Sequence, residues 1–189
     1  PIFVLCWLFF PEEPLSKYFA AIIPLLITIQ FFLIGIGVLK DQASVDAMSR
    51  NGDPKEILKG PFFYGVVFVL LTIIFWRNSP IGIIALMILC GGDGLADIVG
   101  RRVRSNHLKW STNKSVAGSL SMFLGGLFFS TFILLIFFEA GYIPLNFFGI
   151  FPKLLLLNLI ATFVESLPVI DWDNITVPVD VVFVSLLIF

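Results

Sequence analysis

The chain has 189 residues and a formal net charge of −1; 58% of the residues are hydrophobic, 13% are charged, and the mean hydropathy is +1.01. An ordinary soluble domain is about 45–50% apolar and about 25% charged, and a domain this small cannot hide such an excess from water inside one globule. A soluble globule is therefore excluded, no nucleic-acid partner is expected, and the composition calls for an all-α polytopic membrane protein lying in a lipid bilayer.

A crossing needs about 20 apolar residues. Residues 1–10 read as a truncated span closed by the acidic turn "PEEPLSK". Residues 18–39 form a full span without a charge, followed by a polar connection over 40–60. Residues 61–76 form a short span ending on Trp76, where an interfacial aromatic belongs. After the turn "RNSP", the segment 80–99 reaches spanning length only if it takes in Asp93 and Asp97. A basic connection over 100–115 leads to a full span at 116–138, another at 147–164, and the start of a last one at 177–189. That gives about six to seven transmembrane helices in a single domain over 1–189. The first residue is Pro1 and the last stretch, "VVFVSLLIF", stops inside a hydrophobic run, so a fragment or mature form truncated at both ends is expected. Cys6 and Cys90 both fall in apolar runs and read as packing residues.

Alternation of sides places the connections 40–60, 100–115 and 165–176 on one face. That face holds nine of the twelve Lys and Arg residues, Arg50 among them, which makes it the cytosolic or stromal side. It also holds every polar cluster.

The first cluster is "GGDGLADIVGRR", residues 91–102. Asp93 and Asp97 are four residues apart, on one helix face, and two hard carboxylates there suit Mg²⁺, which takes one or two carboxylates plus phosphate oxygens and water. Gly91, Gly92 and Gly94 either let backbone amides approach an anion or break the helix. The competing reading is a charged helix end with its acids paired to Arg101 or Arg102. The second cluster, "RRVRSNHLKWSTNKSVAGS", ends at a new helix that Ser115 or Ser119 can cap, and a helix amino end favours an anion. Lys114 then offers a point charge to phosphate, and Arg101 or Arg102 a forked donor. His107, the single histidine, reads as a solvated loop residue. The third cluster is Glu165 with Asp171, Asp173 and Asn174, acids able to complete a metal site, to orient a hydroxyl or simply to solvate a helix end. No GxxxxGK[ST], GxGxxG, HRD or HExxH occurs, which removes the soluble nucleotide-binding folds.

"GDGLADIVGRR" and "NKSVAGS", with "KGP", "FWRNSPIG" and "VESLP" around them, resemble the polyprenol kinase family of integral membrane enzymes, most nearly its plant chloroplast phytol kinase and farnesol kinase members; dolichol kinase is more distant. The resemblance covers most of the chain from Tyr18 onward. It implies phosphoryl transfer, typically from CTP and with Mg²⁺, to an isoprenoid alcohol such as phytol, farnesol or geranylgeraniol. For the plant members it also implies a chloroplast membrane and a role in salvaging phytol towards tocopherol. Residue by residue, the nucleotide motif falls on Asp93, Ala96 and Gly100 and its basic element on Lys114, Ser115 and Gly118, with Gly94 also assigned to the nucleotide. The chain departs from it at Arg104, where the motif has glycine, and at "WSTN", where it has "YN".

The resulting expectation assigns Asp93 and Asp97 to Mg²⁺, and Arg101, Arg102 and Lys114 to nucleotide phosphates. Glu165 or Asp173 orients the alcohol, and the prenyl tail stays among the spans. Two other readings stay open at this point: a membrane cytidylyltransferase, which would release pyrophosphate, and a transporter, whose intramembrane acids would bind a coupling ion.

Overall fold

The computed structural model describes residues 2–49, 51–144, 146–168 and 172–189; Arg50 and Asp171 lie outside the described residues. The apolar runs fold as helices, because in a bilayer each backbone N–H and C=O must be satisfied within its own segment. A 3-10 helix, Ile2–Phe9, precedes α1 (Ser16–Gly35). The first polar connection carries α2 (Gln42–Met48) and a 3-10 turn at Pro54–Leu58. Then come α3 (Pro61–Phe75), α4 (Pro80–Met87), α5 (Gly94–Arg102), α6 (Val116–Glu139), α7 (Phe147–Ser166) and α8 (Asp173–Ile188). Proline opens both α3 and α4, where its missing N–H has no partner to lose.

Five helices are long and apolar enough to cross a membrane: Ser16–Gly35, Pro54–Phe75, Pro80–Arg102, Val116–Glu139 and Phe148–Ser166. The all-α polytopic class is borne out. Full-length spans number five among the described residues, where about six to seven were expected. The difference lies at the two ends: α8 has 16 residues, about 24 Å at 1.5 Å per residue, and the first 3-10 helix has eight. The basic connection adds a small antiparallel pair, β1 (His107–Leu108) with β2 (Ser111–Ser115).

The segment from Pro80 to Arg102 is the axis of the bundle. It is apolar on all sides over its first half, so it is buried on all sides: Ile83 through Leu89 are at most 1% exposed. The glycines do not break it. The helix widens into one π-turn over Ile88–Asp93 and continues as α5, a distortion that tends to occur at functional sites. Gly91 and Gly92 serve helix contact here and not anion approach. A β-carbon on Gly91 would run into the Phe129 ring, and one on Gly92 would lie 2.9 Å from the Met122 carbonyl oxygen and 3.3 Å from Gly126 Cα. Reciprocally, a β-carbon on Gly125 would lie 2.9 Å from the Gly91 carbonyl oxygen. Small residues of this kind let two membrane helices touch backbone to backbone. Gly94 differs: nothing lies within 4 Å of its missing side chain.

At the far end, the remaining connections, around Arg77 and Tyr142, meet the end of the 3-10 helix. Arg77 is buried and donates from Nη1 to the carbonyls of Trp7 (2.9 Å) and Phe10 (2.6 Å), at the end of the 3-10 helix. Its guanidinium lies 4.1 Å from the centre of the Tyr142 ring. The two ends of the bundle thus carry separate polar knots, with the apolar core between them.

The glycine seam yields a paired prediction. Gly92→Ala forces a methyl against a backbone oxygen that cannot swing away, and should destabilise the protein by about 1–3 kcal/mol. Gly94→Ala has room and should leave the melting temperature in detergent unchanged or raised. Equal melting temperatures for the two variants would contradict the seam.

Candidate active site

A cavity of about 1190 Å³ opens between α1, α3, α5, the hairpin, and the adjoining ends of α6, α7 and α8. All three basic-face connections line it, through Asn51 and Lys59, through Asn113 and Lys114, and through Glu165 and Leu167. Residues separated by more than a hundred positions are brought to one place.

Lys114 is the centre of that place. Its Nζ donates to Glu165 Oε1 at 2.5 Å and to Asp173 Oδ2 at 2.8 Å, tying the hairpin to the end of α7 and the start of α8. Trp110 Nε1 donates to Ser166 Oγ at 3.2 Å, a second tie from the hairpin to α7. Burial alone would push the Lys114 ammonium below the ordinary lysine pKa; Asp173 and Glu165 outweigh it, and the pKa is raised. Glu165 is 4% exposed, and its other oxygen, Oε2, is buried without a hydrogen-bond partner among the described residues. A buried carboxylate oxygen left unpaired is costly unless a donor completes it. Glu165 itself lines the cavity.

Asp93 ends the π-turn and Asp97 follows one turn later, and both line the cavity. Asp97 accepts from Arg101 Nε at 2.8 Å. With side chains 45% and 59% exposed, that pair is worth about 0.3–0.5 kcal/mol, so a bound cation or phosphate separates it at little cost. The acid–arginine pairing and the ligand reading are compatible at this position.

Three sequence expectations change. Arg102 is exposed and does not line the cavity; consecutive helical residues point about 100° apart, so only Arg101, four residues from Asp97, shares its face. The amino end of α6 has no spare amide at its start. Val116 N–H donates to the Asn106 carbonyl (2.9 Å), Ala117 N–H to Ser105 Oγ (3.1 Å) and Gly118 N–H to the capping Ser115 Oγ (3.1 Å). What α6 still offers an anion is its dipole. Finally, Arg104 lies exposed beyond the end of α5 and outside the cavity lining, so the departure from the motif there does not intrude on the site.

Gly94, Gly100, Ser115 and Gly118 also line the cavity. Gly118 lets α6 cross α5 closely: a β-carbon there would lie 3.3 Å from the Ala96 carbonyl oxygen and 3.6 Å from Gly100 Cα. Ser119 does not cap α6; its Oγ is buried without a partner among the described residues, and the residue lines the cavity. His107 is exposed as expected but also borders the cavity. Sequence reasoning missed Lys59, Asn113 and Tyr64. Lys59 stands in "KGP" at the mouth of a span on the basic face, a signal that position alone could have raised; nothing in its spacing ties it to Asp93.

Among the described residues no three acids, histidines or cysteines converge as a ready metal cage. Magnesium does not require one, since it takes one or two carboxylates and completes its shell with water and phosphate. Asp93 and Asp97, both bordering a roomy polar cavity, are a donor set of that kind and fit it.

Comparison with known proteins decides the relationship. Over 190 residues, and 100% of its length, the chain is 37% identical to phytol kinase 1, chloroplastic, of Arabidopsis thaliana, and 40% identical to a probable chloroplastic phytol kinase of Zea mays. It is 37% identical over 191 residues to farnesol kinase, chloroplastic, of Arabidopsis thaliana. This chain is similar along its whole length to plant phytol and farnesol kinases. It spans 62–63% of the length of these three relatives. No protein-family model and no solved structure matches it. Five helices of spanning length support a polytopic membrane protein, and the three relatives named here are chloroplastic.

The Lys114 bridge is testable through stability. Lys114→Met leaves two acids facing each other without a cation. It should cost about 2 kcal/mol, below the 3–5 kcal/mol of a fully buried pair, because the Lys114 side chain keeps 21% exposure. A group whose folded pKa is raised contributes stability that is complete below its unfolded value, 10.5, and is lost as pH climbs through the higher folded value. The difference in unfolding free energy between wild type and Lys114→Met, measured in detergent, should therefore stay flat from about pH 7 to about pH 9 and shrink only above the ordinary lysine range. A difference that vanishes near neutrality would refute the bridge.

Proposed function

We propose that this protein transfers a phosphoryl group from a nucleoside triphosphate, CTP in particular, to the hydroxyl of phytol or a related isoprenoid alcohol. The observation that carries this reading is the cavity itself, whose charged mouth leads into an apolar interior within the spans. Few substrates other than an amphiphile with one polar end match both halves. Phosphoryl transfer asks a protein mainly for positioning and charge neutralisation, and the side chains at the mouth supply both.

In this reading Asp93 and Asp97 hold Mg²⁺, which would neutralise charge on the nucleotide phosphates. Arg101, released from Asp97, presents a planar fork to phosphate oxygens. Lys114 spends two of its three donors on Glu165 and Asp173 and directs the third at phosphate. Glu165 accepts the alcohol hydroxyl at its unpaired Oε2, aiming the oxygen lone pair at the phosphorus and drawing the proton off as the new bond forms. Asp173 keeps Lys114 in place and is a positioning residue. The long hydrocarbon tail explains why the enzyme is integral: each methylene kept from water is worth about 0.8 kcal/mol. The product, a prenyl monophosphate, enters phytol salvage towards tocopherol. The mouth faces the cytosolic or stromal side, which the nine basic residues select.

Purified protein supplied with γ-labelled CTP and phytol, farnesol or geranylgeraniol should release CDP and a labelled prenyl phosphate. Release of pyrophosphate would identify a cytidylyltransferase instead. Asp93→Asn should lower kcat by about 10²-fold or more while leaving the protein folded and the alcohol KM nearly unchanged. Wild-type turnover in that variant at saturating Mg²⁺ would sink the assignment of Asp93.

A further inference from the structure

Phosphoryl transfer uses only the mouth of the cavity. Beyond Pro61 the lining turns apolar and follows two facing helices. On α3 the lining positions are Pro61, Tyr64, Gly65 and Phe68, the 3–4–7 spacing of one helical face. On α1 they include Ile23, Ile27 and Phe31, successive positions four residues apart on one flank. Seven to eight residues at 1.5 Å each make this arm about 10–12 Å deep. Both helices belong to spans, so the arm lies at hydrocarbon depth.

Gly65 lets α3 close onto Thr28 of α1, where a β-carbon would collide, so the two helices meet tightly beside the arm. Ile23 and Ile27 keep 55% and 45% of their surface uncovered, although both border the cavity. At its deep end the arm is floored by two aromatic rings: Phe3 meets Phe68 edge to face, with centroids 5.7 Å apart and planes at 64°. Both phenylalanines line the cavity.

We infer that this arm holds the isoprenoid chain of the substrate and that the Phe3–Phe68 pair limits how much of that chain the protein encloses, which makes Phe68 a specificity-determining residue. The inference rests on the prenol kinase reading and adds to it the place and the depth of the tail. A methyl-branched apolar chain joined to a hydroxyl is the occupant that suits both ends, because the arm offers no polar partner below Tyr64 and runs unbroken into the cluster of Asp93, Lys114 and Glu165. Phe68→Ala removes one ring of the floor and lengthens the arm; Ile27→Trp fills the arm from the side without touching the charged mouth.

The experiment compares farnesol with geranylgeraniol in wild type and the two variants, alongside photolabelling of the wild type by a farnesol carrying a diazirine near its hydrocarbon end. Phe68→Ala should raise the kcat/KM ratio of geranylgeraniol over farnesol by about fivefold or more, in the range that pocket size can command. Ile27→Trp should raise the alcohol KM by about fivefold and leave the CTP KM within about twofold, a split that places the loss in alcohol binding. The diazirine should label α1, α3 or Phe3, and unlabelled phytol should compete where phosphatidylcholine does not. Labelling in the arm with no phosphate transferred to any alcohol would overturn the kinase reading and leave the arm standing as a prenol site. Transfer with unchanged ratios, unchanged KM and label elsewhere would overturn the arm. Competition by phosphatidylcholine as strong as by phytol would show a general lipid groove and would also overturn it.

Discussion

Close approach of the acidic span to α6 is the constraint on which the rest of this protein depends. Gly91 and Gly92 on one side, with Gly125 and Gly126 on the other, allow the backbones to touch at a level where any side chain would hold them apart. Dispersion attraction between the two backbones replaces the hydrophobic drive that a lipid solvent does not supply. Because Asp93 is the next residue after Gly92, the seam also fixes the height of the first carboxylate. A looser seam would move Asp93 relative to the hairpin and to α7, and the cavity mouth would lose its geometry.

The charges obey a second constraint, that of holding acids near a membrane. Asp93, Asp97, Glu165 and Asp173 border the same cavity, with Lys114 and Arg101 paired among them. The balance is negative, which suits the divalent cation proposed for it. The half-buried Lys114 bridge and the exposed Asp97–Arg101 pair differ in strength. The first joins three separate elements, and the second is weak enough to open. At the opposite end of the bundle, Arg77 performs a purely structural task by satisfying the terminal carbonyls of the first 3-10 helix.

Much of this was legible from the residues. Hydropathy gave the spans to within a few residues, since an apolar run of the right length in lipid has no alternative to a helix. Counting sides brought the three basic connections to one face, and the structure lines one cavity with all three. The i, i+4 spacing of Asp93 and Asp97 put them on one face, and Ser115 caps α6 as its position suggested. Other details were not legible. Arg101 and Arg102 are equivalent in a sequence but not on a helix. The start of α6 reads as an anion site, yet Ser105, Asn106 and Ser115 of the same connection take up its first three amides.

Sequence alone therefore determined what the bilayer enforces: the helical class, the sidedness of the charges and the kinship carried by the motif around Asp93. Those properties depend on residue type and near-neighbour spacing, which the chain displays directly. Tertiary structure alone decided that Lys114 is shared by Glu165 and Asp173, that Glu165 keeps one oxygen unpaired, and that the glycines before Asp93 serve packing while Gly94 faces open space. Each of these is fixed by an interaction between residues far apart in the chain. Such interactions exist only once the helices have settled against one another at the separation their smallest side chains permit.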